Sequence, residues 1–232
     1  MSLLLFPNLL AEGILPDQVL PRSVGEAART IEGLIAESEK GGAHFLRLFS
    51  IAKLPIKILN EHTNDREVDE LLIPLVQGKR FGLVSDCGLP CLADPGAKLV
   101  FRARKRGIII QAFVGPSAIT LALMLSGLPG QKFTFHGYLE REEEKLKQQI
   151  RLLDRRSQQE QSTELFIEAP YRNQKLLRAL LENLQGTTLL SIAWDLTLPS
   201  ESVITESVST WRGKSLPDIH KKPAVFLFSS RG

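Results

Sequence analysis

Residues 81–118 set two apolar runs on either side of a helical repeat, and this spacing restricts the fold more than any other stretch of the chain. Phe81 to Val84 is one run, ending at Ser85-Asp86; Ile108 to Phe113 is the other, ending at Gly115-Pro116-Ser117. Between them, Ala97 to Arg106 carries Leu99, Val100 and Ala103 at helical spacing. Strand, loop, helix, strand and loop make a βαβ unit. Ligands of open α/β sheets bind beyond the carboxyl ends of the strands, so both loops fall on one rim.

The chemistry of the two loops suits a ligand. The first is Ser85-Asp86-Cys87-Gly88-Leu89-Pro90, followed by Asp94-Pro95-Gly96. Glycine lets the backbone approach a bound molecule closely. Proline stiffens the loop and so lowers the ordering cost of binding. Pro95 fits the first turn of the following helix with Asp94 as its N-cap. Asp86 is an acceptor at a strand end, suited to a ribose hydroxyl or a cationic group. One such loop alone reads equally as a surface turn that starts a helix; two on one rim favour a ligand site. No GxGxxG follows a strand and no GxxxxGK[ST] occurs, which argues against a dinucleotide fold of the usual type and a P-loop. A small nucleoside-like ligand held by backbone groups remains. Cys87 and Cys91 lie in one loop without a second pair, so a reduced thiol pair is expected and no metal site.

The 232 residues suffice for one large or two small domains with a sizeable core. A net charge of +3 is mildly basic, compatible with an RNA partner. No apolar run reaches the ~18 residues of a membrane span. Met1 to Phe6 is too short for a signal h-region and lacks a basic n-region, so it reads as the first buried strand. A cytoplasmic location follows by default.

Along the chain, strands are expected at 3–6, 31–37 and 56–59, and helices at 23–30, 38–49 and 65–77, with 11–21 as loop. Ser23 with Glu26 has the capping-box spacing. This alternation implies a parallel sheet with helices on both faces. Ser117 to Ser126 is a further apolar helix, and its N-terminus favours a carboxylate. The domain boundary falls between Val114 and Gln131, giving domains 1–114 and 115–232. The second half is read as strands at 132–139, 164–167, 188–194, 201–208 and 223–228, with helices at 141–159 and 175–184. Charges of both signs over 141–159 fit a solvated helix more than an RNA-binding one, because Glu142, Glu143 and Glu144 offset Lys145, Lys147 and Arg151. A strand-end His62 beside Glu61 suits a proton acceptor near neutral pH, or else a solvated histidine capping the helix at 65–77. Glu168 and Arg172 suit a charge-assisted pair that fixes a site, or else an exposed pair at a helix start.

The segments VSDCGLPCLADPG (84–96) and VGPSA (114–118) resemble the methyl-donor loops of the tetrapyrrole methylase-like family. They are most similar to its ribosomal RNA cytidine 2'-O-methyltransferase branch, which carries SDAGxPxxSDPG and PGPSA. Further segments match in order: Pro7-Asn8-Leu9 against TPIGNL, 36–40 against AEDTR, 60–64 against HEHN, 133–140 against FxGFLP, 166–172 against FYESPHR and 194–198 against RELTK. Trp194 and Leu198 stand where that last motif has cations. The resemblance implies an α/β protein of two α/β/α domains, the first mostly parallel and the second mixed, with a ligand cleft between them. It implies S-adenosylmethionine as cofactor, RNA as partner, no membrane, and a homodimer. Donor contacts are then expected at Ser85, Asp86, Gly88, Pro90, Ser117 and Ala118, with backbone near Ile167, Ala193 and Ala224. The donor's carboxylate suits the helix start at Ser117. Glu61, His62, Glu168, Tyr171 and Arg172 are expected to face the acceptor as catalytic residues. The acceptor implied is a ribose 2'-hydroxyl of ribosomal RNA. A tetrapyrrole or other small-molecule acceptor, or a non-catalytic donor-binding protein, is the alternative; the GxGDP loop of the tetrapyrrole branch is replaced here by Ser85 to Pro90.

Overall fold

A computed structural model describes residues 1–230, so the last two positions of the expected second domain lie outside the described residues. The chain divides into two compact units, one ending at Ser117 and the other beginning at Ala118.

In the first unit, short apolar runs become β1 (Ser2–Leu5), β2 (Gly33–Ala36), β3 (Ile56–Ile58), β4 (Arg80–Val84) and β5 (Ile109–Ala112). They form one sheet in the order β3-β2-β4-β1-β5, every neighbour parallel. Parallel strands need crossovers, and the intervening helices cover both faces. The helices α1 (Pro16–Val19), α2 (Arg22–Ala28) and α3 (Glu39–Leu48) share a core with Leu4, Phe6, Leu34 and Val84. The helices α4 (Asp65–Val76) and α5 (Ala97–Lys105) cover Leu3, Ile35 and Leu83 on the opposite face. Adjacent residues Leu3 and Leu4 thus point into different cores, as the period of two in a strand requires. All five carboxyl ends lie on one rim.

The helix starts differ from those expected. Pro21 is the N-cap of α2 and Ser23 lies inside the helix, because the fixed φ of Pro21 lets the helix begin two residues earlier. Asp94 does not cap α5: the helix begins at Ala97, behind Gly96 at φ +138°. The preceding turn occupies 91–96 and turns the Asp94 carboxyl toward Ser85 instead. For α4 the cap is Asn64, in a reciprocal box with Glu67, and not His62. The loop at 11–21 contains α1.

The second unit comprises α6 (Ala118–Ser126), β6 (Phe133–Tyr138), α7 (Glu143–Glu160), β7 (Thr163–Ile167), α8 (Asn173–Asn183), β8 (Leu189–Trp194), β9 (Ser202–Ser207), α9 (Val208–Arg212) and β10 (Ala224–Ser229). Its sheet runs β6-β7-β10-β8-β9; β6 and β7 are parallel and the other pairs antiparallel. On one face α7, α8 and α9 bury Phe166, Phe226, Phe228, Leu190 and Ile192. On the other, α6 lies against β8, β9 and β10. The two units are therefore a parallel and a mixed α/β/α sandwich. At the base of the second sheet, Ser230 donates to the buried Asp154 carboxylate at 2.5 Å, which also accepts from Thr188 Oγ1 and the Gln185 amide. At its rim lie the carboxyl ends of β6, β7 and β8 and the start of β10.

Candidate functional site

At the first rim one buried asparagine ties two loops together. Asn8, 1% exposed, donates through Nδ2 to the carbonyls of Ser85 (3.0 Å) and Asp86 (3.1 Å). Its amide donates to the Gly88 carbonyl at 2.7 Å, and the Gly88 amide returns a bond to Leu9 at 3.3 Å. The loop after β5 closes on the same place. A Cβ on Gly115 would stand 2.1 Å from the Pro7 Cβ, and one on Gly88 would stand 3.7 Å from the Pro116 carbonyl oxygen. Residues 85–88 and 115–116 thus adjoin.

Asp86 faces the start of α3. Its Oδ1 accepts from the Ser38 hydroxyl at 2.8 Å, and Ser38, the N-cap, accepts from the Gly41 amide at 2.9 Å. The helix terminus favours a negative charge there. A side chain at 41 would put its Cβ 1.9 Å from Asp86 Oδ1, so only glycine admits the carboxylate. The Asp86 amide donates to Glu37 Oε2 at 3.1 Å. Asn8, Leu10, Ser38, Gly41, His44 and Asp86 line a recess of about 200 Å³.

Behind it, the Ser85 hydroxyl bonds the Asp94 carboxyl. Burial, then repulsion from Glu37 and Asp86, push Asp94 up to about 6 against the pull of Ser85. Burial and Asp94 push the Cys91 thiol up to about 11; burial, Asp94, Glu37 and Asp86 also raise Cys87. Both stay thiols at neutral pH, poor nucleophiles and poor metal ligands. Cys91 and Ala93 take left-handed φ of 69° and 65°, an uncommon conformation for residues with side chains and one that collects at functional loops.

His62 and Glu61 lie elsewhere on this unit. Both side chains are 84% exposed and 3.5 Å apart, and His62 lines a separate hollow with Asn60, Thr63 and Glu70. The structure does not bring His62 into the recess beside Asp86. Pro90 sits half-buried in the turn after Gly88, and buried Ser117 closes the unit.

At the rim of the second unit, Ile167 and Ala193 flank Val225 from either side, and Ala224 opposes Trp194. Glu168, 7% exposed, meets Arg172 Nη2 at 3.3 Å and accepts from the Ala169 amide through Oε1. Its Oε2 is buried with no hydrogen-bond partner among the described residues. The pair is therefore buried, not an exposed helix-start contact. Tyr171 beside it is 65% exposed. The loop after β8 carries two left-handed residues, Asp195 (φ 52°) and Thr197 (φ 74°). Asp195 is held by Ser200 at 3.1 Å and Lys222 at 3.2 Å, and the Thr197 hydroxyl oxygen is buried with no hydrogen-bond partner among the described residues. Lys222 thus supplies a cation at a rim where Trp194 and Leu198 supply none. Ala118 is the first residue of α6.

Sequence reasoning left Glu37, Ser38, Gly41, Asp94, Thr197 and Lys222 out of the site. Gly41 and Gly42 in a helix were the available signal, since glycine mid-helix is costly unless something must come close.

A family model for tetrapyrrole (corrin/porphyrin) methylases matches residues 20–211. A Xylella fastidiosa protein named ribosomal RNA small subunit methyltransferase I is 30% identical over 204 residues, covering 88% of this chain and 73% of that one. The Thermotoga maritima protein of the same name is 36% identical over 154 residues, covering 66% and 67%. Its Bacillus subtilis namesake is 29% identical over 184 residues, and this chain spans 61% of its length. Among solved structures, the methyltransferase CobJ superposes with a TM-score of 0.63 over 98% of this chain and 92% of that one, at 16% identity. Uroporphyrin-III-C-methyltransferase from Thermus thermophilus superposes at 0.56 over 99% and 92%, at 18% identity. Those two share the fold.

Proposed function

The chain belongs to the tetrapyrrole (corrin/porphyrin) methylase family and is a methyltransferase; from that premise we propose that its donor is S-adenosylmethionine and its acceptor a ribose 2'-hydroxyl of small-subunit ribosomal RNA. The observation that carries the acceptor class is the 30–36% identity to proteins named for that RNA, against 16–18% to the structural neighbours. The protein acts in the cytoplasm as a homodimer. Among the described residues no helix is long and apolar enough to cross a membrane. Apolar side chains left at the surface, among them Met124 at 76% and Val114 at 80% exposure, supply faces for a second copy.

The residues of the first rim suit such a donor. Glu37, Asp86 and Asp94 put carboxyl groups where a nucleoside bearing positive charge would enter, and Gly41 leaves the Asp86 carboxylate room at the helix start. When bound, S-adenosylmethionine supplies a methyl carbon made electrophilic by its sulfonium. The chain's work is then positional. Asn8 fixes Ser85, Asp86 and Gly88 so that their backbone and the Asp86 carboxylate can orient the nucleoside. Ser117 and Ala118, at the start of α6, bind the donor's carboxylate. Backbone at Ile167, Ala193 and Ala224, at the rim of the second unit's own sheet, is the further donor contact proposed. Glu168 and Arg172 hold each other at the second unit's rim and suit an acceptor contact, and His62 beside Glu61, exposed in its own hollow on the first unit, is the candidate for taking the proton from the ribose hydroxyl.

Tritiated methyl transfer to small ribosomal subunits from a strain lacking the gene tests this. Label in the RNA is expected; label only in a tetrapyrrole pool, or in neither, rejects it. His62→Ala should slow transfer by roughly 100-fold or more with donor affinity unchanged. Full activity removes His62 as the base.

A further inference from the structure

Resting on the RNA-methylation reading, we infer that the groove between α7 and α8 is the track along which the RNA strand approaches the second unit's rim. The groove holds about 430 Å³ and is lined in part by Tyr171. Lys147, Lys175 and Arg178 line it, and Arg151 extends the row on α7 by bonding Asn183 at 3.1 Å. Three acids share the surface. Glu143 and Glu144 hold Lys147 at 3.0 and 2.9 Å, Glu143 lies 3.9 Å from Lys175, and Glu182 lines the groove. These exposed pairs are each worth little, so phosphate oxygens can replace the carboxylates cheaply. Among the described residues Arg178 has no acidic partner.

Tyr171 tells RNA from a merely charged partner. It is 65% exposed, no packing in the unit accounts for its ring, and it stands three residues beyond the buried Glu168. An exposed aromatic face beside a row of cations is how single-stranded nucleic acid is held: phosphates along the cations, one base on the ring. Continuity with Glu168 and Arg172 leads that strand to the rim where the acceptor is proposed to sit. The predominantly mixed-sign surface of α7 conceals the groove from the sequence, because its cations converge with those of α8 only after packing.

The test is a salt titration of binding to an unmodified small-subunit ribosomal RNA transcript. Removing two phosphate contacts in Lys175→Ala/Arg178→Ala should lower the slope of log K against log salt by about 1.4 to 1.8. Donor affinity by calorimetry should stay unchanged. Tyr171→Ala should weaken binding about tenfold without altering the slope, since stacking releases no counterions. The matched control Arg104→Ala/Lys105→Ala, on α5, should leave the slope unchanged. An unaltered slope in the groove variant, or an equal fall in the control, overturns the proposal. So does a loss seen with intact subunits and absent with free RNA, which would put a ribosomal protein in the groove. A wild-type protein that neither binds nor methylates RNA sinks the functional reading itself, a result distinct from normal methylation with an inert groove.

Discussion

Asp86 is fixed by the Ser38 hydroxyl, by its own amide on Glu37 and by the empty side of Gly41. Asp86→Ala should weaken S-adenosylmethionine binding about tenfold or more by calorimetry, the value of one charge-assisted contact. Gly41→Ala should do the same while costing about 1–3 kcal/mol in stability, because the methyl group displaces the carboxylate. Asp94 gives a pH signature. Its folded pKa is about 6, above the ordinary 3.8, so the folded state holds the proton more tightly. Stability contributed by that proton is present below about pH 4 and disappears as pH rises through 6. Asp94→Asn should therefore raise stability at pH 7, by about 1 kcal/mol after solvent screening, and change nothing at pH 4 in thermal melts. At this scale Ser85, Asp86 and Gly88 were legible as candidates, because Gly and Pro after an apolar run mark a loop with a special backbone. Asp94 was read as a cap, since a chain cannot reveal in advance that a turn of left-handed residues will intervene.

The elements were legible wherever period and punctuation agreed. Ser38 before α3 and Asn64 before α4 sit where the chain leaves a strand and a polar side chain can take the first free amides. The start of α2 was misplaced because Ser23 and Glu26 have the capping spacing while Pro21 holds the position. The strand β6 shows what pattern cannot reveal. His136 Nε2 and the fully buried Glu164 Oε2 lie 2.5 Å apart, with Ser162 donating to Oε1 at 2.6 Å. Burial pushes the Glu164 carboxyl up, but the bonds from His136 and Ser162 outweigh it and hold it below the ordinary 4.5. The stability this provides is complete above that value and lost as pH falls through the lower folded one. His136→Ala should cost about 3 kcal/mol at pH 7 by denaturant unfolding, since it strands a buried charge. The deficit should shrink in acid as Glu164 takes up a proton. An equal deficit at both extremes would mean that packing, not charge, is lost.

For the molecule as a whole, the order of elements was legible apart from α1, which falls in a stretch that reads as loop, because short strands of three to six residues alternate with helices. Which strands neighbour one another was not, since β3-β2-β4-β1-β5 is decided by how crossovers pack. Assembly is checked by light scattering, where a mass twice the 25.8 kDa of one chain is expected. Met124→Glu should then favour the single chain by setting a charge on an exposed apolar site. The anchoring of Ser230 on Asp154 has a practical corollary. Ser230 is held at the sheet margin remote from Glu168 and Thr197, so a biosensor linkage made through that margin would leave the second unit's upper surface facing the flow cell.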